Sequence, residues 1–212
     1  MQNTSSTEIV PNSPRSNAAS LNANAFLSCG NAYVRGLEKS DLPSLASWIN
    51  DHDVTRLLFT GHRPALTERL VEQWEQEWRS QSDFVFAVCM KEDDRFVGTT
   101  GLYNVNGIMR TAEFRIFLGD KTIWGRGVGT SATRMMVFYG FEKLNLNRVW
   151  LGVNAENVGG VKAYERARFV REGVLRQEQY RNFRYYDVVR MSMLRSEYEG
   201  FRENYLMQDP QG

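Results

Sequence analysis

"IWGRGVGTSATRMM" spans residues 123–136. Three glycines, Gly125, Gly127 and Gly129, alternate with other residues, and an apolar, helix-forming run follows at once. Glycine loses more conformational entropy on folding than any other residue, so the cluster needs a cause. Two causes are available. One is a tight strand-to-helix turn that requires positive φ. The other is close approach of backbone N–H groups to a bound anion, because a helix N-terminus carries unsatisfied donors and partial positive charge. Arg126 adds a cation at the rim. The stretch alone fits both. The spacing is not the G-x-G-x-x-G of a dinucleotide fold, and no Lys-Ser/Thr pair follows as in a P-loop.

Working outward, "TAEFRIFLGD" (residues 111–120) alternates as a strand should, and the helix after the glycines runs to about residue 144. "NRVWLGVNAEN" is a further strand that ends in a polar turn, and "VGGVKAYERARF" a short helix. "REGVLRQEQYRNFRYYDVVRMSML" reads as two closing strands with Asn182 in the bend. Upstream, "DFVFAVCMKEDDRFVGTTGLYNV" is a hairpin with Glu92, Asp93 and Asp94 in its turn. "TERLVEQWEQEWRSQ" is a helix whose apolar face holds Leu70, Val71, Trp74 and Trp78, with Thr67 as its cap. Its tryptophans read as core packing. A strand at 33–37 precedes a helix with Leu42, Leu45, Trp48 and Ile49 on one face, capped by Ser40 or Asp41. Consecutive strands exclude a doubly wound sheet. The fold class is α/β, with a mixed, mostly antiparallel central sheet flanked by helices.

Residues 1–30 are rich in Asn, Ser and Ala and nearly uncharged, and are expected to be a flexible tail. The domain is placed at 31–200, with a C-terminal tail at 201–212. The composition, 42% hydrophobic and 24% charged, can build a core. A net charge of +1 disfavours nucleic acid as the main ligand. Cys29 and Cys89 are isolated and suggest neither a disulfide framework nor a metal site. No apolar run reaches membrane-span length and no secretory signal is visible, so a cytoplasmic location is expected. A homo-oligomer is compatible with the sequence.

A strand, a glycine-rich loop and helix, a strand ending in Asn, and a short helix with "AYERARF" follow in fixed order. In this the chain resembles the GNAT superfamily of acetyl-CoA-dependent N-acetyltransferases. The likeness covers residues 32–198 and is closest to the branch of ribosomal-protein N-terminal and spermidine/spermine acetyltransferases. It implies that N–H groups from Gly125 to Thr130, through Arg126, Gly127, Val128 and Gly129, hold the pyrophosphate of acetyl-CoA. Trp124 stands where the family usually has Gln or Arg. Backbone at Ile116, Phe117 and Leu118 would bond the pantetheine arm and polarise the acetyl carbonyl. Asn157 would help hold the coenzyme. Tyr164, seven residues on and so two helical turns away, would protonate the leaving thiolate. Arg168 replaces a glycine usual before the Phe.

Glu113 would face the acceptor amine, binding its ammonium or relaying its proton through water. Each candidate has a plainer reading: Tyr164 as a packing residue, Glu113 as a surface ion pair. His52 and His62 match no family motif and read as surface residues. Glu38, Asp41, Asp51 and Asp53 would either attract a cationic amine or be solvated helix charges. Direct attack by the amine needs no cysteine nucleophile and no metal. The function implied is acetyl transfer to a primary amine: a protein N-terminus, a polyamine or another small amine. The alternative is a catalytically inactive coenzyme-A-binding regulatory module. The two early helices and the last hairpin are expected to build the acceptor pocket.

Overall fold

The computed structural model describes residues 24–207, without the side chains of 77–79. The chain runs through β1 (Leu27–Cys29), β2 (Ala32–Gly36), α1 (Leu42–Ile49), α2 (His52–Thr55), α3 (Thr67–Arg79), β3 (Phe84–Met90), β4 (Phe96–Asn106) and β5 (Thr111–Leu118). It continues through α4 (Val128–Phe138), β6 (Arg148–Asn154), α5 (Val158–Arg166), β7 (Val170–Arg181), β8 (Arg184–Leu194) and α6 (Arg195–Glu199). One eight-stranded sheet forms, in the order β1-β2-β3-β4-β5-β6-β8-β7. Every pair is antiparallel except β5 with β6. This is the mixed sheet expected from consecutive strand signals.

α4 follows the glycines and is buried on almost every side, from Val128 to Val137. Such all-round burial marks a central helix rather than a surface one. Its continuation, Tyr139–Lys143, loosens into a π-helical turn. The β7–β8 hairpin turns at Asn182 and Phe183, both with positive φ (50° and 61°). That is the two-residue turn whose twist matches the flanking strands.

Both expected domain boundaries move outward. Residues 1–23 of the expected flexible tail lie outside the described residues. Residues 24–30 are built into the fold: β1 pairs with β2, Cys29 is 1% exposed, and Phe26 stacks on Phe86. At the other end, the expected tail from 201 contributes Tyr205, fully buried, whose hydroxyl donates to the Ala167 carbonyl at 2.7 Å. A three-residue strand and a single aromatic past the last helix carry too little periodicity to read locally.

The expected cap of α1 is also corrected. Asp41 makes no cap bond to its helix. Its carboxylate accepts both terminal N–H groups of Arg35 (2.8 and 2.9 Å) and the amide of Glu38 (2.9 Å). Asp41 is almost fully buried, so the paired guanidinium outcompetes a cap bond. Ser40 reaches only Glu38. Among the described residues no helix is long and apolar enough to cross a membrane.

Candidate active site

The parallel pairing of β5 with β6 covers only Thr111, Ala112 and Glu113. Beyond Glu113 the two strands splay. The edge of β5 from Phe114 to Leu118 then has no strand partner on that side, and the gap opens a cleft of about 650 Å³. Ile116, Phe117, Asn157 and Tyr164 all line it, and Leu118 ends the strand beside it.

The glycine loop follows the end of β5, outside the residues that line the cleft. Gly125 and Gly127 have φ of 77° and 79°, the left-handed region that a side chain disfavours. Gly127 caps α4, and no side chain caps the helix in its place. The first helical amide bond is Ser131 N–H to the Gly127 carbonyl, at 3.0 Å. The first-turn amides of Val128, Gly129 and Thr130 therefore have no helical acceptor.

Three loop residues also make contacts within the protein. Gly129 has ordinary φ, and a Cβ there would meet only Leu118 (3.7 Å) and Ala163 (3.8 Å). Its side-chain space faces α5, not an anion. Arg126 is held by Glu92, both carboxylate oxygens at 3.0 Å, and its carbonyl accepts from Asn31. It ties the loop to the β3–β4 turn rather than standing as a loose cation at the rim. Trp124 donates its indole N–H to the Leu118 carbonyl at 3.2 Å, clamping the loop to the end of β5.

On α5, Asn157 caps the helix: its Oδ1 accepts from the Gly160 amide at 2.9 Å. Tyr164 is 9% exposed and meets Phe114 of β5 edge-to-face, with centroids 5.9 Å apart. Its hydroxyl has no hydrogen-bond partner among the described residues. Burial pushes its pKa well above the ordinary tyrosine value. The phenol is therefore a proton donor, not an acceptor, across the neutral range.

The other wall comes from the early helices. Leu45, Ile49, Leu58, Phe59, Leu70 and Trp74 line it. Trp74 is only half-buried, and its indole donates to the Leu37 carbonyl at 3.2 Å. It is thus a cavity wall rather than core packing. Glu113 reaches the cleft with its side chain 19% exposed. Its Oε2 accepts from Arg115 (2.7 Å) and from Asn104 (3.2 Å), while Oε1 has no partner among the described residues. Arg115 also lies over the Tyr103 ring, 4.7 Å from its centroid.

The early acidic group does not gather at the cleft. Asp41 serves Arg35, as does Glu38 at 3.9 Å, and Asp51 (2.8 Å) and Asp53 (3.5 Å) serve Lys121. His52 and His62 are exposed, and neither lines the cavity. Cys89 is fully buried and desolvation raises its thiol pKa, which removes it as a nucleophile. Among the described residues no group of His, Cys, Asp and Glu is placed to hold a metal ion.

Sequence reading missed a buried polar brace. Asn154, at the end of β6, donates to the Gln179 side chain at 2.7 Å, and Gln179 donates on to the Leu58 carbonyl, also at 2.7 Å. Arg181 donates to the carbonyls of Leu58 and Thr60 and to the Thr55 hydroxyl. Gln179 and Arg181 are 4% and 6% exposed on a strand otherwise open to solvent. The last hairpin therefore braces the acceptor wall instead of lining it. Their spacing of two, which puts both side chains on one face of β7, was the available signal.

A model of the acetyltransferase (GNAT) domain matches residues 32–170. The chain is 32% identical over 167 residues to the spermidine N(1)-acetyltransferase of Vibrio cholerae, covering 78% of this chain and 94% of that protein. It is 30% identical over 171 residues to the putative ribosomal N-acetyltransferase YdaF of Bacillus subtilis, covering 79% and 93%. The crystal structure of spermidine N-acetyltransferase from Vibrio cholerae in complex with CoA and spermine superposes with a TM-score of 0.73 at 30% identity, covering 80% of this chain and 98% of that one. With the domain matched over residues 32–170 and these relatives aligned over 78–80% of it, the chain belongs to the GNAT acetyltransferase family and is an N-acetyltransferase that uses acetyl-CoA.

Proposed function

We propose that the cleft moves an acetyl group to a primary amine by direct attack, with Tyr164 as general acid and Glu113 as the amine-binding carboxylate. One observation carries the assignment. A buried phenol with no partner among the described residues shares a cleft with a carboxylate that keeps one oxygen uncommitted. The uncapped amides of Val128, Gly129 and Thr130 fit a diphosphate, since they offer converging donors at the positive end of α4. Asn157 keeps its Nδ2 available, because Oδ1 is spent on the cap. The edge of β5 at Ile116 and Phe117, unpaired on the β6 side, supplies backbone groups for an extended amide-bearing arm, while the Leu118 carbonyl is held by Trp124.

Acetyl-CoA, when bound, supplies the thioester carbonyl. A primary ammonium has a pKa of about 10, near that of lysine, and must lose its proton before the nitrogen can attack. Glu113 Oε1 binds the ammonium and passes that proton to water. The neutral nitrogen forms the new C–N bond as the C–S bond breaks, and its second proton leaves to water to give the neutral amide. Tyr164 gives its proton to the departing sulfur, and the phenolate is re-protonated from solvent. Holding both reactants in one cleft removes much of the entropic barrier. Incubation with acetyl-CoA and a panel of amines, followed by thiol release and product mass, tests the assignment. Coenzyme binding with no thiol release on any amine sinks it and leaves an inactive binding module.

A further inference from the structure

The walls of the cleft name a class of acceptor, if the cleft is the acetylation site proposed above. Among its described lining residues the only acid is Glu113 and the only permanent cation is Arg115, and the two are already paired. Glu113 Oε2 is spent on Arg115 and Asn104, which leaves Oε1 for one ammonium. The acceptor wall is otherwise mostly apolar, from Leu45 and Ile49 through Leu58 and Phe59 to Leu70 and Trp74, with Thr60 and Gln73 as its uncharged polar members. The acids of the early helices, Asp41, Asp51 and Asp53, are tied to Arg35 and Lys121 instead, and Asp83 accepts from the Asn104 amide.

Among the described lining residues, a second or third positive charge on the acceptor would meet mainly apolar side chains and the Arg115 guanidinium, with no uncommitted carboxylate beyond Glu113. Burying an unpaired charge in this way is heavily penalised. An apolar body on the same nitrogen gains instead from the area it removes from water. We infer that the acceptor is a monoamine with an aliphatic or aromatic body, and not a polyamine. A free amine and a peptide whose first side chain is large and apolar present the same chemistry to this wall.

The test is a comparison of kcat/KM at saturating acetyl-CoA for hexylamine, phenethylamine, peptides beginning with Leu or Phe, peptides beginning with Ser or Asp, and spermidine. The expected result is that apolar monoamines or apolar-first peptides exceed spermidine by at least tenfold. Whichever of those two arms leads identifies the source. A second variant makes the wall the cause. Phe59 is 51% exposed, so Phe59→Glu adds a carboxylate at little cost to folding. It should lower kcat/KM for the apolar amines, raise it for spermidine, and leave the KM for acetyl-CoA unchanged. Spermidine equal to or better than the apolar amines overturns the inference while leaving the acetyltransferase assignment standing. Polar-first peptides leading the panel overturn it too. Absence of turnover on every amine removes the site assignment on which the inference rests, and the inference falls with it.

Discussion

The two walls of the cleft are built by different means. The wall proposed to hold the coenzyme is local: Ile116 to Thr130 lie on one continuous piece of chain, and α5 adds Asn157 and Tyr164. Its donors are backbone amides, exposed because glycine permits the turn and no side chain caps the helix. The acceptor wall is assembled from distant segments. Loop carbonyls at Leu58 and Thr60 are held by Gln179 and Arg181, more than 120 positions away in the sequence. A local wall writes itself in a motif, whereas a wall held by long-range side-chain bonds does not.

The sharpest test of the coenzyme wall is Tyr164→Phe. It removes the donor and keeps the ring against Phe114. Turnover should fall roughly 10²–10⁴-fold, as expected for a lost general acid, with little change in the KM for acetyl-CoA. The pH profile sharpens it further. Burial raises the Tyr164 pKa, so the donor stays protonated as pH climbs past the ordinary tyrosine value of about 10. The wild-type rate should therefore rise with pH as the amine deprotonates, with no fall from this group below about pH 10. Near-wild-type turnover in a folded Phe variant, where chemistry limits the rate, would make Tyr164 a packing residue.

The acceptor wall breaks at Arg181. Arg181→Met leaves the Thr60 carbonyl and the buried Thr55 hydroxyl without their guanidinium donor, while the Leu58 carbonyl keeps Gln179; the loss is about 1–3 kcal/mol for each group left unsatisfied. Steady-state kinetics should show the KM for the amine rising about tenfold or more, with the KM for acetyl-CoA unchanged. Equal effects on both substrates would mean that the brace supports the whole fold rather than one wall.

Next in size is a contrast inside the loop. Gly127→Val forces a branched residue to φ 79°, a strain of about 1–3 kcal/mol that weakens acetyl-CoA binding and lowers the melting temperature. Gly129→Ala should be close to neutral in both calorimetry and melting, because its Cβ meets only ordinary contacts. Equal losses at the two positions would erase the distinction between the turn and the helix contact.

The smallest effect concerns the end of α5, away from both walls. Arg168 follows the helix with φ 71°, where a glycine is favoured. Arg168→Gly should raise stability by roughly 0.5–1 kcal/mol, the left-handed strain less the entropy of glycine. Thermal melting reads this directly, and kcat should not change.

How far the sequence reached follows the same division. The order of strands and helices along the chain, the bend at Asn182 and the glycine turn before α4 all rest on neighbours within a few residues. Hydrophobic period, turn chemistry and helix-end geometry are local properties, so the sequence by itself determined them. Only the tertiary structure decided that Arg126 serves Glu92, that Asp41 serves Arg35 and that Gln179 and Arg181 hold a loop from the first third of the chain. It alone also decided that β1 and Tyr205 join the core. A charged or amide side chain can pair with any segment that folding brings to it, and nothing in its own neighbourhood records which one that is.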